Sequence, residues 1–318
     1  MLSDHLTNPA CAAQRYLVQN HDPEKPPPGE NRVEEASISM EGIDKVSIHG
    51  GHSGQFCNHA TDTLEEIVHS YMDKGFVWVG ITEHAPAVND ELRYDDQAEA
   101  GLTAAFLLDQ FGGYMRECRR LQEKYRSQIR LYAAIEIETY SGYEEFVPLL
   151  VERFSPDYIV GSVHFVNDIN FDYSQKMYEH AVDSAGGLDE LYLRYFDLQY
   201  EMIRRLEPAV VGHFDLIRIF DSGYRERLEK PQIVTRMRRN LELIKKLDLI
   251  LDFNLRALHK GASEPYVSTS ILKMVREYEI KIVPGDDSHG VATAGNFFEQ
   301  GVAILKTHGF TTDWARPS

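Results

Sequence analysis

The sequence predicts an α/β fold built as a seven-stranded βα barrel. Three observations carry that reading. Seven short β-branched or apolar runs alternate with segments of helical period from Lys45 onward. Each intervening segment is long enough to cross over between parallel strands. Nearly every run ends in His, Glu, Asp or Asn. The alternation alone fits a doubly wound open sheet equally well, so the polar ends decide. In a βα barrel all C-terminal strand ends face one mouth, whereas in an open sheet they lie along a line.

The first predicted strand is Lys45–His49. Asp62-Thr-Leu-Glu65 reads as a capping box opening a helix that runs to Lys74 and stops at Gly75. The second strand, Phe76–Thr82, runs into Glu83-His84, a loop, and a long helix from about Ala100 to Tyr125. The third, Ile129–Glu136, precedes a helix near Tyr143–Phe154, and the fourth, Tyr158–His164, precedes one from about Leu188 to Arg205. The fifth, Ala209–His213, is followed by a helix near Pro231–Leu247, and the sixth, Leu249–Asn254, by one near Ser268–Tyr278. The seventh, Lys281–Gly285, leads into Asp286-Asp-Ser-His289 and a last helix near Asn296–His308.

Residues 1–44 read differently. The stretch from His21 to Glu30 is rich in proline and turn residues and has no apolar periodicity. We expect an N-terminal extension over 1–44, extended or mobile in part, with a short helix around Cys11–Val18, and the barrel over 45–318.

Across 318 residues, 33 Lys+Arg against 50 Asp+Glu give a net charge of −17. That balance argues against a nucleic-acid scaffold or a binder of anionic membranes, since both would repel it. Three cysteines form no disulfide framework. There is no apolar run of roughly 20 residues and no hydrophobic signal core. The expectation is a soluble cytoplasmic protein.

A single histidine at a strand end is as well explained by capping or core packing. Six of seven strands delivering His or a carboxylate to the same end are not. His49, His52, His59, His84, His164, His213 and His289 together with Glu136 and Asp287 supply nine candidate metal ligands. Nine exceed what one ion takes and suit two or three divalent ions. His5, His21, His69, His180, His259 and His308 fall in the extension, on helices or in loops, and read as solvated residues.

These residues also resemble a known family. His49-Gly-Gly-His52, Cys57-Asn-His59-Ala60, Thr82-Glu-His84-Ala-Pro86, Ala134-Ile-Glu136, Gly161-Ser-Val-His164-Phe165, Gly212-His213-Phe-Asp-Leu216 and Gly285-Asp-Asp-Ser-His289 are similar to the motifs of the polymerase-and-histidinol-phosphatase (PHP) family, in order and spacing over about residues 45–310. Within it the chain looks most like the histidinol phosphatases. Gly-Ser-Val-His-Phe with an acidic loop and Asp189-Glu-Leu-Tyr192 resemble that branch, as does Gly-His-Phe-Asp-Leu-Ile-Arg218. The resemblance implies a distorted, TIM-barrel-like (β/α)7 barrel holding up to three Zn, Mn or Fe ions. One ion would lie on His49, His52, Glu136 and Asp287. A second would take His59, His84 and His289, and a third Glu136, His164 and His213. Glu136, Asp287 and His289 would be the catalytic residues. One departure stands out: the family's first motif is His-x-His, and here two glycines separate the histidines. Gly50 and Gly51 are expected to restore the geometry through a positive φ.

A cluster of divalent ions lowers the pKa of a shared water to near neutrality and suits in-line attack on a phosphomonoester. Arginine usually completes phosphate capture. Arg218 and Arg256 follow strands five and six, and Arg93 lies in the second long loop. Asp215 is a candidate for orienting a neighbouring group or protonating the leaving group, and Asn254 for orienting substrate or satisfying backbone groups. Glu138, Asp168 and Asp172 are acidic loop residues suited to a cationic substrate. The preferred activity is hydrolysis of L-histidinol phosphate. The alternatives are another small phosphate ester or nucleotide as substrate, or a metal-stabilised binding module without turnover. An amidohydrolase-type barrel fits less well, because strand four offers His164 and no lysine.

Overall fold

The computed structural model describes residues 40–317. The helix expected around Cys11–Val18, His5, His21 and the extension up to residue 39 lie outside the described residues. Seven parallel strands form a nearly closed barrel: β1 (Lys45–Ser47), β2 (Phe76–His84), β3 (Arg130–Ile137), β4 (Tyr158–Gly161), β7 (Val210–Val211), β8 (Ile250–Asn254) and β9 (Lys281–Gly285). They neighbour one another in that order, all parallel. Two backbone hydrogen bonds draw the last strand to the first. Ile48 N–H donates to Pro284 O at 2.9 Å, and Asp287 N–H donates to His49 O at 2.8 Å. The small hairpin of β5 (Phe165–Val166) and β6 (Ile169–Asn170) follows β4 and was not foreseen.

The major helices match the crossovers: α1 (Leu64–Asp73), α3 (Ala104–Tyr125), α4 (Tyr143–Phe154), α6 (Leu188–Leu206), α8 (Pro231–Lys246), α10 (Thr269–Glu277) and α11 (Phe298–Thr307). Short helices fill loops that carried no long period: α2 (Asp95–Glu99), α7 (Tyr224–Leu228) and α9 (Arg256–His259), with the longer α5 (Gln175–Ala185). The capping box sits one residue later than expected. Thr63, not Asp62, caps α1, accepting from Glu66 N–H at 3.2 Å while Glu66 Oε2 accepts from Thr63 N–H at 2.8 Å. Asp62 instead turns the chain at φ 63°. The helix expected from Ala100 also starts later, because Gly101 at φ 69° separates α2 from α3, which Thr103 caps.

Helix α6 shows how the core is built. Leu191, Tyr192, Tyr195, Phe196, Met202 and Ile203 recur at helical spacing and are all buried. Each such side chain contributes about 1.5–3 kcal/mol on leaving water. The inward residues of the strands continue that core, which leaves polar side chains at the C-terminal ends as the exception. No helix of the described residues is long and apolar enough to cross a membrane.

Candidate metal centre

Strands β4 and β7 stop pairing early, so His164 and His213 lie just past them rather than within. The peptide N–H of His213 finds a side chain instead, donating to Asp252 Oδ2 at 3.3 Å. His49 follows β1 in the same way, and all three histidines are buried at the C-terminal mouth.

The two glycines between His49 and His52 do not use positive φ, contrary to expectation. They are needed because a side chain would not fit. A Cβ on Gly50 would lie 2.4 Å from Gly80 O and 2.7 Å from Val79 Cγ1. A Cβ on Gly51 would lie 2.8 Å from Ser288 Oγ. The chain thus threads between β2 and the segment after β9 and brings His52 back to the mouth, its Nε2 3.3 Å from Asp287 Oδ1.

Three groups of candidate ligands assemble there: His49–His52–Asp287, His59–His84–His289 and Glu136–His164–His213, each with its ligand atoms within 4.8 Å of one another. Glu136 joins them. Its Oε2 lies 3.2 Å from His49 Nε2 and 3.7 Å from His52 Nε2, while Oε1 lies 3.0 Å from His213 Nε2 and 3.4 Å from His164 Nε2. Ser162 Oγ–H donates to Oε1 at 2.7 Å and helps fix the carboxylate. Two further clusters meet the same limit, His84–Glu138–His164 and His52–Cys57–His84.

The histidines are aimed by carboxylates behind them. Nδ1 of His49 lies 2.9 Å from Asp252, Nδ1 of His52 lies 3.1 Å from Glu83, and Nδ1 of His84 and His164 lie 3.0 and 2.5 Å from the two oxygens of Glu138. Tyr94 O–H donates to Glu138 as well. His289 Nδ1–H donates to the Asp287 carbonyl at 3.0 Å. A carboxylate or carbonyl on one ring nitrogen turns the other inward as a lone pair, the usual support of a metal-ligating histidine. His49 Nε2 and His52 Nε2 are buried without a hydrogen-bond partner. Nε2 of His164 and His213 face each other at 3.0 Å, and those of His59 and His84 at 3.3 Å. Two facing ring nitrogens need a positive charge between them, a proton in the ion-free chain or a metal ion, and this set of imidazoles and carboxylates fits divalent cations.

Protonation follows the same logic. Desolvation in the crowded mouth and the neighbouring imidazoles push His289, and His59 at its more open edge, well below the usual histidine range. Burial opposes charge on His52 and His164 too, yet Asp287 and Glu83 lift His52 to about 9, and Glu138, Asp172 and Glu136 lift His164 to about 10. Against the burial cost, His49 and His164 hold Glu136, and His49 and His52 hold Asp287, well below the carboxylate range, while His164 and His84 hold Glu138 at about 2. In the ion-free chain, imidazolium supplies the positive charge that this carboxylate cluster requires.

A cavity of ≈ 260 Å³ opens over the cluster, walled by Tyr94, Asp172, Tyr173, Arg256, Lys260 and Tyr266 above the candidate ligands. Of the three arginines, only Arg256 reaches it. Arg218 is buried elsewhere: Nε–H donates to Asp215 Oδ2 at 3.0 Å, a terminal nitrogen donates to Glu264 O and Pro265 O, and the guanidinium stacks 4.4 Å over the Tyr266 ring. Arg93 donates to Asp90 O and Leu102 O in its own loop. Asp215, tied to Arg218 and Ser268, does not line the cavity either. Asn254 donates to Asp252 Oδ2 at 3.0 Å and Asp287 Oδ2 at 3.2 Å, so it braces two carboxylates.

Asp252, Glu83 and Glu138 as supports of the histidines escaped the sequence reading, as did Lys260. A signal existed for two of them. Glu138 follows Glu136 by two residues, and Asp252 precedes Asn254 by two, which puts each pair on one face of its strand.

Residues 50–256 match the model of the PHP domain. A Schizosaccharomyces pombe protein named "Probable histidinol-phosphatase" is 32% identical over 84% of this chain and 88% of its own length. The Saccharomyces cerevisiae histidinol-phosphatase is 28% identical over 79% of this chain and 85% of its own. Among solved structures, a Listeria monocytogenes chain carrying the histidinol phosphatase name superposes with a TM-score of 0.72 at 26% identity, covering 80% of this chain and 99% of that one. The histidinol phosphate phosphatase of Lactococcus lactis, solved with Zn, L-histidinol and phosphate, shares the fold at a TM-score of 0.65 and 16% identity, over 84% of this chain and 95% of that one. The match to the family model and to the S. pombe relative, over most of the chain, places it: this protein belongs to the PHP family.

Proposed function

We propose that this chain is a metal-dependent phosphomonoester hydrolase that converts L-histidinol phosphate and water to L-histidinol and phosphate. The observation that carries the reading is Glu136, whose two oxygens face two different histidine groups at 3.0–3.7 Å in a buried mouth. The names of the S. pombe and S. cerevisiae relatives support the substrate.

On this reading His49, His52, Glu136 and Asp287 hold one ion, His59, His84 and His289 a second, and Glu136, His164 and His213 a third, drawn from Zn, Mn or Fe. Such ions supply Lewis acidity toward phosphoryl oxygens and a water acidic enough to act as nucleophile near neutral pH. The chain's own part is to orient and to hold charge. Glu136, fixed by Ser162, would offer one oxygen to each of two ion groups. Asp287, braced by Asn254, keeps its carboxylate ionised beside His49 and His52. His289 turns Nε2 toward the mouth because Nδ1–H is committed to the Asp287 carbonyl. Arg256 takes phosphoryl oxygens from the wall of the cavity, where its fork can pair with two of them.

Elemental analysis of the purified protein, paired with phosphate release from L-histidinol phosphate and a panel of small phosphomonoesters, tests the proposal. Two or three transition-metal ions per chain and a marked preference for histidinol phosphate are expected. Bound metal with another ester preferred would move the protein to the rival phosphoesterase reading. Absence of hydrolysis after reconstitution with Zn, Mn and Fe would overturn the hydrolase assignment.

A further inference from the structure

The three acidic residues that the sequence offers to a cationic substrate meet three different fates. Glu138 is buried behind the histidines, with both oxygens committed to His84 and His164. Asp168 turns away from the mouth and accepts from Ser141 N–H and Oγ–H, both at 2.7 Å. Asp172 lines the cavity, half-buried, and no described residue forms a hydrogen bond or ion pair with its carboxylate.

Its placement is built rather than incidental. Phe171, immediately before it, is fully buried against Tyr178 and Tyr195, and its N–H donates to His164 O at 3.1 Å. On the other side, Tyr173 N–H donates to Asn170 Oδ1 at 3.1 Å, closing a side-chain turn around Asp172. The backbone at 170–173 is thereby pinned to the candidate ligand His164, and the carboxylate has few places to go.

The cavity is electrically bipolar. Asp172 lines it together with Tyr94 and Tyr266, and Arg256 and Lys260 line it as well. Lys260, whose ammonium also pairs with no described residue, follows α9 and lines the cavity with Arg256, which opens that helix. The lining therefore offers two cations and an anion that no described residue pairs. A phosphate ester carrying no positive charge would pair with the first and be repelled by the second. Cost without return is hard to reconcile with a carboxylate held this firmly.

We infer that Asp172 is the specificity-determining residue of the site, and that it selects phosphomonoesters of short amino alcohols by accepting hydrogen bonds from their cationic nitrogen. The inference rests on the proposed phosphatase reading and adds to it a residue and a reason for rejecting uncharged esters. Sugar phosphates and nucleotides, whose leaving groups bring no cation, gain nothing from Asp172.

The test compares wild type with D172N and D172E at matched metal content. In D172N, kcat/KM for L-histidinol phosphate should fall about 10- to 100-fold, as expected for a lost hydrogen bond between charged groups, and mostly through KM. For p-nitrophenyl phosphate it should stay level or rise, and D172E should restore part of the preference. An equal loss on both esters would overturn the inference, since that pattern belongs to a structural role. A second measurement stands apart from turnover. Calorimetric binding of L-histidinol in the presence of inorganic phosphate should weaken in D172N by a similar factor. If wild type hydrolyses neither ester but binds L-histidinol in an Asp172-dependent way, the phosphatase reading fails while the recognition role survives. If D172N binds L-histidinol as wild type does, the recognition role is wrong.

Discussion

Asp252 Oδ2 lies 2.9 Å from Nδ1 of His49, and both side chains are fully buried. The carboxylate fixes the ring so that Nε2, with no hydrogen-bond partner of its own, faces Glu136. It also accepts from the His213 backbone and from Asn254, so one buried group aligns parts of two candidate ion sites and the amide that braces Asp287.

Replacing that group should therefore be felt in the metal and not only in the fold. D252N keeps the size but offers an amide where His49 needs an acceptor with charge. We expect metal affinity to fall about 10- to 100-fold, the usual consequence of losing an outer carboxylate behind a ligating histidine. Chelator competition on the folded variant reads this directly. Unchanged affinity would mean that His49 is held by packing alone.

Protons and metal ions should compete for the site, with a sign fixed by the shifts. His52 near 9 and His164 near 10 are protonated at pH 7 in the ion-free chain, whereas Glu136 and Asp287 are ionised well below it. Binding a divalent ion must displace imidazolium protons. Calorimetry in buffers of different ionisation enthalpy at pH 7 should thus show proton release, and apparent affinity should rise with pH. The ion-free chain has a matching stability profile. A histidine raised from an unfolded value near 6.5 stabilises fully below that pH and loses its contribution as pH climbs through about 9 to 10. Chelator-treated protein should therefore melt progressively lower between pH 7 and pH 10, and more steeply than the loaded form. A flat ion-free profile would show that the buried histidines are neutral.

The barrel was legible because its two signals are local: strand-length apolar runs, and the polar residue at the end of each. His164 and His213 could be placed at the mouth from their position after Gly161-Ser-Val and Gly212 alone. What resisted reading depends on contacts between distant segments. The reason for Gly50 and Gly51 lies in Gly80 and Ser288, which no local pattern links to them. The hairpin at 165–170 has strands of two residues, too short to show a period, and it is this hairpin that aims Asp172. Arg218 illustrates the same limit from the other direction. Its position after a strand end pointed to the mouth, but Asp215 three residues earlier captures it.

That capture separates the two arginines experimentally. Arg218 is 4% exposed and neutralises Asp215, a carboxylate in full burial. Removing the guanidinium by R218A strands that acid and two carbonyl oxygens, a loss of about 3–5 kcal/mol by analogy with broken buried ion pairs. The cost should appear as a lowered unfolding midpoint. Where the variant still folds, metal content and KM should stay close to wild type. R256A should behave in the opposite way. Its guanidinium ends in the cavity and is bonded to no described residue, so the midpoint and the metal content should hold. The kcat/KM for a phosphomonoester should fall about 10- to 100-fold, in line with loss of a charge-assisted contact to phosphate. Urea titration of both variants beside steady-state kinetics distinguishes the cases. If R218A instead loses turnover at unchanged stability, the Arg218–Asp215 pair is opened when substrate binds, and the arginine belongs to the site after all.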